Sequence, residues 1–222
     1  MPIDGSDRPF WITSSSRSNA TGRVLLLHGA GAPADSEWMS AVTETLAASG
    51  LDVYRAEFNY MAQRRVDGKK RPPPKAERLL DEVRLMVDRL PASQQPLILA
   101  GKSMGGRLAT LYAANRLWSA NETGPEQVWV FGYPFHPPGK PERLRTSHLP
   151  EIPCPVRILQ GSRDAMGNTS TVSLLTLGDQ VNLRWVDTGN HDLRPLGLSK
   201  TEVMPRLQSD IAAAVGDWWP TV

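Results

Sequence analysis

Residues 96–107 read PLILAGKSMGGR, and the way this stretch folds decides the rest. Leu97, Ile98, Leu99 and Ala100 are apolar without alternation, as in a strand buried on both faces of a parallel sheet. The run stops at Gly101-Lys102-Ser103-Met104-Gly105, after which helix-compatible residues begin. The pattern predicts strand, sharp turn, helix, with Ser103 at the bend. Backbones approach closely at such a bend, and Gly101 and Gly105, two positions either side of the serine, leave the room. The bend lifts the serine oxygen clear of the sheet. It also aims the first N–H groups of the helix, Met104 foremost, at anything bonded to that oxygen, where the positive helix end favours an oxyanion.

A parallel sheet needs further strand and helix pairs, and the chain supplies them on both sides of this stretch. Val24 to Leu27 form a buried strand ending abruptly in His28-Gly29-Ala30-Gly31-Ala32-Pro33. Small residues there let a backbone N–H come beside the serine; Ala30 is the expected donor, with Gly31 next. Trp38, Met39, Val42 and Leu46 recur at helical spacing before Gly50, predicting a helix over 36–49. A strand over 51–58 follows. Asn59 to Pro74 is the least regular segment and is expected to be a loop. Between Arg55 and Arg78 lie eight basic and three acidic residues, a local excess of +5 in a chain of net charge +2. The helix 75–90 carries one apolar stripe and stops at Pro91.

Beyond the bend, Leu108 to Trp118 has the composition of a buried helix, and strands are expected over 127–133, 156–159 and 181–187. The five prolines of 135–153 predict a loop with one helical turn at most. Ser199 and Glu202 form a capping-box pattern opening a last helix, with Val203, Leu207, Ile211, Val215 and Trp218 on its buried side. Residues 9–13 suit a short edge strand, followed by a polar loop from Ser14 to Gly22, so that residues 1–21 contribute an edge strand and loop. Alternating strands and helices predict one α/β domain over residues 1–222, its sheet mostly parallel and helices on both faces.

Bulk properties narrow the function. Two domains would be cramped in 222 residues. The balance of 25 basic and 23 acidic residues argues against nucleic acid as a partner of the whole surface. No apolar run approaches membrane-spanning length, and MPIDGSDRPF lacks the pattern of a signal peptide, so a cytoplasmic protein without membrane association is expected. The single cysteine, Cys154, excludes an intrachain disulfide and reads as a buried residue at a strand entrance. Neither metal nor organic cofactor is expected.

Residues just past the carboxyl ends of parallel strands line one edge of the sheet. Ser103, Asp164 in Gly161-Ser-Arg-Asp164, His191 in Gly189-Asn-His191 and the His28-Gly29-Ala30-Gly31 loop all occupy such positions. They are therefore expected to meet as nucleophile, orienting acid, general base and oxyanion hole, in the chain order serine, acid, histidine. His28 is expected to be structural, bonding neighbouring loops. His136 and His148 precede the acid and are expected at the surface. Asp187 and Asp192 are rival acids; Asp192 adjoins His191 in sequence, is poorly placed to bond its ring, and is expected to serve the loop. Gly31 and Lys102, next to the oxyanion donor and the serine, are candidates for substrate contact.

Together HGAGAP, GKSMGGR, GSRD and GNHD resemble the α/β-hydrolase superfamily from about residue 22 onward, closest to small lidless bacterial hydrolases similar to dienelactone hydrolases. The elbow, the R-x-E-F-x-Y-M segment at 55–61 and the PPP tract also resemble a subgroup whose eukaryotic relatives include a subunit of a histone-acetyltransferase complex. The resemblance implies a serine hydrolase acting on small esters or thioesters, as a monomer or homodimer; a noncatalytic module of the same fold is the alternative. Dienelactone hydrolases proper carry cysteine at the elbow, where this chain has Ser103. The basic segment adds the expectation that the ester is anionic, since it leaves its strand at the same edge as Ser103.

Overall fold

Strands β1 (Phe10–Ser14), β2 (Gly22–Leu27), β3 (Leu51–Glu57), β4 (Leu97–Lys102), β5 (Gln127–Phe131), β6 (Val156–Gly161) and β7 (Val181–Val186) build one sheet in the order β1-β3-β2-β4-β5-β6-β7. The structure, a computed structural model, describes residues 10–14, 19–118 and 124–219. The proposed start of the edge strand at Pro9, the residues before it and part of the loop after Ser14 lie outside them. Strands β2 to β7 run parallel, and β1 pairs antiparallel with β3 at the edge.

Alternation along the buried strands sorts the core into two layers. Leu25, Leu27, Leu99, Val128 and Val130 face one side, where they pack with Leu79 and Val83 of α3 (Ala76–Asp88) and Leu108 and Tyr112 of α4 (Met104–Ala114). Val24, Leu26, Ile98, Ala100 and Trp129 face the other. There they meet Met39, Val42 and Leu46 of α1 (Glu37–Ala48) and Leu207, Ile211 and Val215 of α6 (Lys200–Trp218). Ser199 and Glu202 close the expected capping box at the start of α6. Helices on both faces of a mostly parallel sheet, with no lid between β5 and β6, are the architecture the sequence predicts.

Two segments differ from expectation. Asn59 to Asp67 is the helix α2, not loop; only the chain from Gly68 to Lys75 is irregular. Its sequence carries no apolar stripe, because its anchors lie outside itself. Tyr60 and Met61 are buried, the Asn59 N–H donates to Glu82 Oε2 at 2.8 Å, and Arg65 ties the helix to Glu57 and Asp35. Helix α4 begins at Met104, directly after the bend as expected, but ends at Ala114, short of Trp118. Gly105 and Gly106 are weak helix formers, yet the helix must start there to lie against the sheet. A four-residue helix, α5 (Thr169–Val172), and a 3-10 turn over Leu149–Glu151 complete the fold.

Candidate active site

Ser103 stands between β4 and α4 with φ 51° and ψ −111°, a conformation that non-glycine residues avoid. The surrounding packing enforces it. A Cβ on Gly101 would lie 2.4 Å from the Gly105 carbonyl carbon, and one on Gly105 would lie 2.4 Å from the Leu27 oxygen. The small residues flanking the serine are thus required where α4 crosses the ends of β2 and β4. The Ser103 N–H donates to Phe131 O at 3.1 Å, and its carbonyl accepts from Arg107 N–H at 2.9 Å as the helix begins. Met104 is the first residue of α4, where backbone N–H groups have no partner within the helix.

His191 Nε2 lies 2.7 Å from Ser103 Oγ, and its Nδ1 lies 2.7 Å from Asp164 Oδ2. Asp164 accepts through both oxygens and is fully buried, so it acts as the hydrogen-bond acceptor for Nδ1–H. Nε2 is then left as the acceptor facing the serine hydroxyl. Two further donors hold the carboxylate: Gln160 Nε2 to Oδ2 at 2.7 Å, and the Met166 N–H to Oδ1 at 2.7 Å. Gln160 is itself locked, accepting from the Tyr133 N–H at 2.6 Å while donating to Gly167 O at 3.0 Å. The sequence analysis missed Gln160. A glutamine directly after the apolar pair Ile158-Leu159 of β6 was the available signal, since a buried polar side chain there requires partners.

The remaining histidines and acids lie elsewhere. His28 is buried, its Nε2 accepts the Phe58 N–H at 3.1 Å, and Nδ1 lies 2.7 Å from Gly29 O, so it joins β2's loop to the end of β3. Burial lowers its pKa. His136 and His148 are not surface residues: the first is buried beside Pro137 O, and the second is half-buried with Nε2 2.9 Å from Thr110 Oγ1. Both were misplaced because a proline-rich sequence reads as exposed loop, whereas this one packs Tyr133, Phe135 and Leu149 into the core. Asp187 accepts from its neighbour Thr188 N–H and does not bond His191 among the described contacts. Cys154 is buried, and burial pushes its thiol up to about 11.

Beside Ser103 opens a pocket of about 570 Å³. Gly29, Ala30 and Gly31 form one wall, Trp38 and Met39 of α1 another, and Met166, Arg194, Val203 and Met204 complete it around His191. Ala30 and Gly31 thus stand where the sequence analysis expected an oxyanion loop and substrate contact. Tyr60 O–H donates to Ala30 O at 3.0 Å, steadying that loop from α2. Lys102 also reaches the pocket wall, but its ammonium is committed: Nζ donates to His191 O at 2.5 Å and pairs with Asp192 Oδ1 at 2.9 Å. Asp192 therefore serves more than its own loop. Burial lowers the lysine's pKa, opposed by the attraction of Asp192.

No residue of 59–74 lines this pocket. Of the basic excess there, Arg65 is paired with Glu57 and Asp35, and Arg71 with Asp67. Arg55 is buried, donating to Ala34 O at 2.8 Å. Among the described residues, no group of three or more histidine, cysteine or acidic side chains is placed to hold a metal ion, and no helix is long and apolar enough to cross a membrane.

A family model described as an alpha/beta hydrolase domain matches residues 20–218. Among solved structures, the chain is similar to a dienelactone hydrolase from Anabaena variabilis, with a TM-score of 0.68 and 20% identity over 97% of this chain and 94% of that one. It is similar to an α/β serine hydrolase homologue from Coxiella burnetii, with a TM-score of 0.66 and 15% identity over 93% and 96% of the two chains. A lidless α/β serine hydrolase from Xanthomonas campestris gives a TM-score of 0.64 and 16% identity over 96% and 90%.

Proposed function

Since this chain belongs to the α/β-hydrolase family, we propose that it is a serine hydrolase cleaving small carboxylic esters or thioesters through an acyl-enzyme intermediate. The observation that carries the proposal is the unbroken relay Ser103 Oγ, His191, Asp164, with both contacts at 2.7 Å. In the proposed reaction His191 Nε2 takes the hydroxyl proton as Ser103 Oγ attacks the acyl carbon. The tetrahedral oxyanion is held by the N–H groups of Met104 and Ala30. When the acyl–oxygen or acyl–sulfur bond breaks, the imidazolium returns the proton to the leaving alcohol or thiol. Water, deprotonated by the same imidazole, then attacks the acyl-serine, and the imidazolium returns that proton to Ser103 Oγ as the acid leaves. Asp164 keeps Nδ1 protonated throughout and stabilises the imidazolium.

The pocket supports a small, largely apolar ester. Trp38, Met39, Met166, Val203 and Met204 offer ring and thioether surface, and no lid encloses them. An anionic group on the substrate remains part of the proposal through attraction from the pocket's margin: no residue of 59–74 lines the pocket, but Arg64 Nη1 reaches the carbonyl of the wall residue Gly31 at 3.5 Å.

Labelling with a fluorophosphonate probe tests the reading. Labelling of the native protein that disappears in Ser103→Ala supports it, while a folded native protein that stays unlabelled supports a noncatalytic module instead. A panel of short esters, thioesters and lactones, run against native protein and Ser103→Ala, then defines the acyl and leaving groups.

A further inference from the structure

We propose that Lys102 and Trp38 form a clamp that positions the base His191 through its main chain. This inference rests on the serine-hydrolase reading. The turn from β7 into α6 carries His191 and contains two non-glycine residues in the left-handed region, Thr188 at φ 52° and Leu193 at φ 61°. Such a turn does not hold its shape by backbone preference. Asn190 closes it locally, its Oδ1 accepting from the Asp192 and Arg194 N–H groups at 2.9 and 3.0 Å, and two side chains from outside fix where it sits. Lys102 Nζ donates to His191 O at 2.5 Å, and Trp38 Nε1 donates to the next carbonyl, Asp192 O, at 3.1 Å. The His191 carbonyl also abuts Gly132, where a Cβ would come within 2.6 Å of it and 3.5 Å of Lys102 Nζ. A glycine at 132 leaves room for both the oxygen and the ammonium that bonds it.

Strand alternation explains why Lys102 can do this. Ile98 and Ala100 face the α1 side of the sheet, and Lys102, two residues further on, extends on that side towards Trp38 and Asp192. Its ammonium stands 5.3 Å from the Trp38 ring centroid while paired with Asp192 Oδ1. Its polar contacts are therefore spent on residues 191 and 192 and on the ring. Because Lys102 directly precedes the nucleophile, the serine and the carbonyl of its base are referenced to the same strand end. The side-chain bonds of His191 to Ser103 and Asp164 set the tilt of the imidazole. The clamp sets where the ring starts from, and a displacement near 1 Å is enough to spoil proton transfer.

A double-mutant cycle on an activated neutral ester, p-nitrophenyl acetate, separates positioning from other roles. In the native background Lys102→Met should lower kcat about 30- to 1,000-fold with KM changed less than about threefold. In the His191→Ala background the same substitution should change the residual rate less than about threefold, since no imidazole is left to misplace. Equal factors in the two backgrounds overturn the clamp, as does an unchanged kcat in the native background. If Lys102→Met does not fold, Trp38→Phe keeps a ring and removes only the Nε1 donor. Its loss of about 5- to 20-fold in kcat should likewise vanish in His191→Ala, and equal factors or no loss again overturn the proposal. Fluorophosphonate labelling of the native protein distinguishes the two levels: no labelling overturns the hydrolase reading and the clamp with it, whereas labelling with equal factors overturns the clamp alone.

Discussion

Replacing Asp164 by asparagine alters one atom, and the surrounding hydrogen bonds dictate the consequence. Oδ1 accepts the Met166 N–H, so an asparagine oxygen is held there and its NH2 must take the place of Oδ2. That NH2 faces two donors, His191 Nδ1–H and Gln160 Nε2–H, both at 2.7 Å in the native protein. Gln160 cannot turn its amide over, because its oxygen accepts from Tyr133 N–H and its nitrogen donates to Gly167 O. His191 can respond by shifting its proton to Nε2, which makes Nδ1 an acceptor and points an N–H at Ser103 Oγ. In that tautomer it cannot take the serine proton. Asp164→Asn should therefore lower kcat about 10³- to 10⁴-fold, equivalent to about 4 to 5.5 kcal/mol of transition-state stabilisation, with KM nearly unchanged. The donor left facing Gln160 should also lower the unfolding free energy by about 1 to 3 kcal/mol. Steady-state rates on a short ester and urea unfolding measure the two effects. Retention of more than about a tenth of native kcat, or a larger loss from Asp187→Asn or Asp192→Asn, refutes the assignment.

Gly105→Ala puts a methyl 2.4 Å from the Leu27 oxygen and should destabilise the protein by about 3 kcal/mol while slowing fluorophosphonate labelling; native-like melting and labelling would contradict the close packing. Burial and the nearby Arg107 lower the His148 pKa from 6.5 to about 4. The unfolded chain then binds more protons, so this stability is complete above pH 6.5 and is lost as pH falls towards 4. At pH 5 the loss is about 2 kcal/mol before solvent screening and about 1 after it, and His148→Gln should remove that part of the pH dependence in urea unfolding. Lys69 and Lys70 are exposed and off the pocket wall, so changing both to glutamine should alter kcat/KM for an anionic ester less than about threefold, and less still at high salt. A larger, salt-sensitive loss confined to the anionic ester would show that this segment does steer substrate.

Most of the element order was legible because it is written in local patterns. Unbroken apolar runs marked the buried strands, 3.6-residue periodicity marked α1, α3 and α6, and Gly101 and Gly105 marked the close crossing at Ser103. The chain order of Ser103, Asp164 and His191 was readable too, since each follows a strand. What sequence alone could not decide depends on partners far along the chain. Helix α2 has no apolar stripe and is anchored through Glu57, Asp35 and Glu82. Within the +5 excess around it, Arg65 is committed to Glu57 and Asp35, while Lys69 and Lys70 stay exposed. Lys102, beside the serine in sequence, looked available to substrate. The fold brings His191 O and Asp192 to it across some ninety residues of chain and commits it to the loop that carries the base. Gln160 is decided in the same way, by Tyr133, Gly167 and Asp164 converging on a buried amide. Hydrophobic periodicity is a property of neighbours in sequence. The pairing of a charge or amide is a property of neighbours in space, and only the closed sheet brings those together.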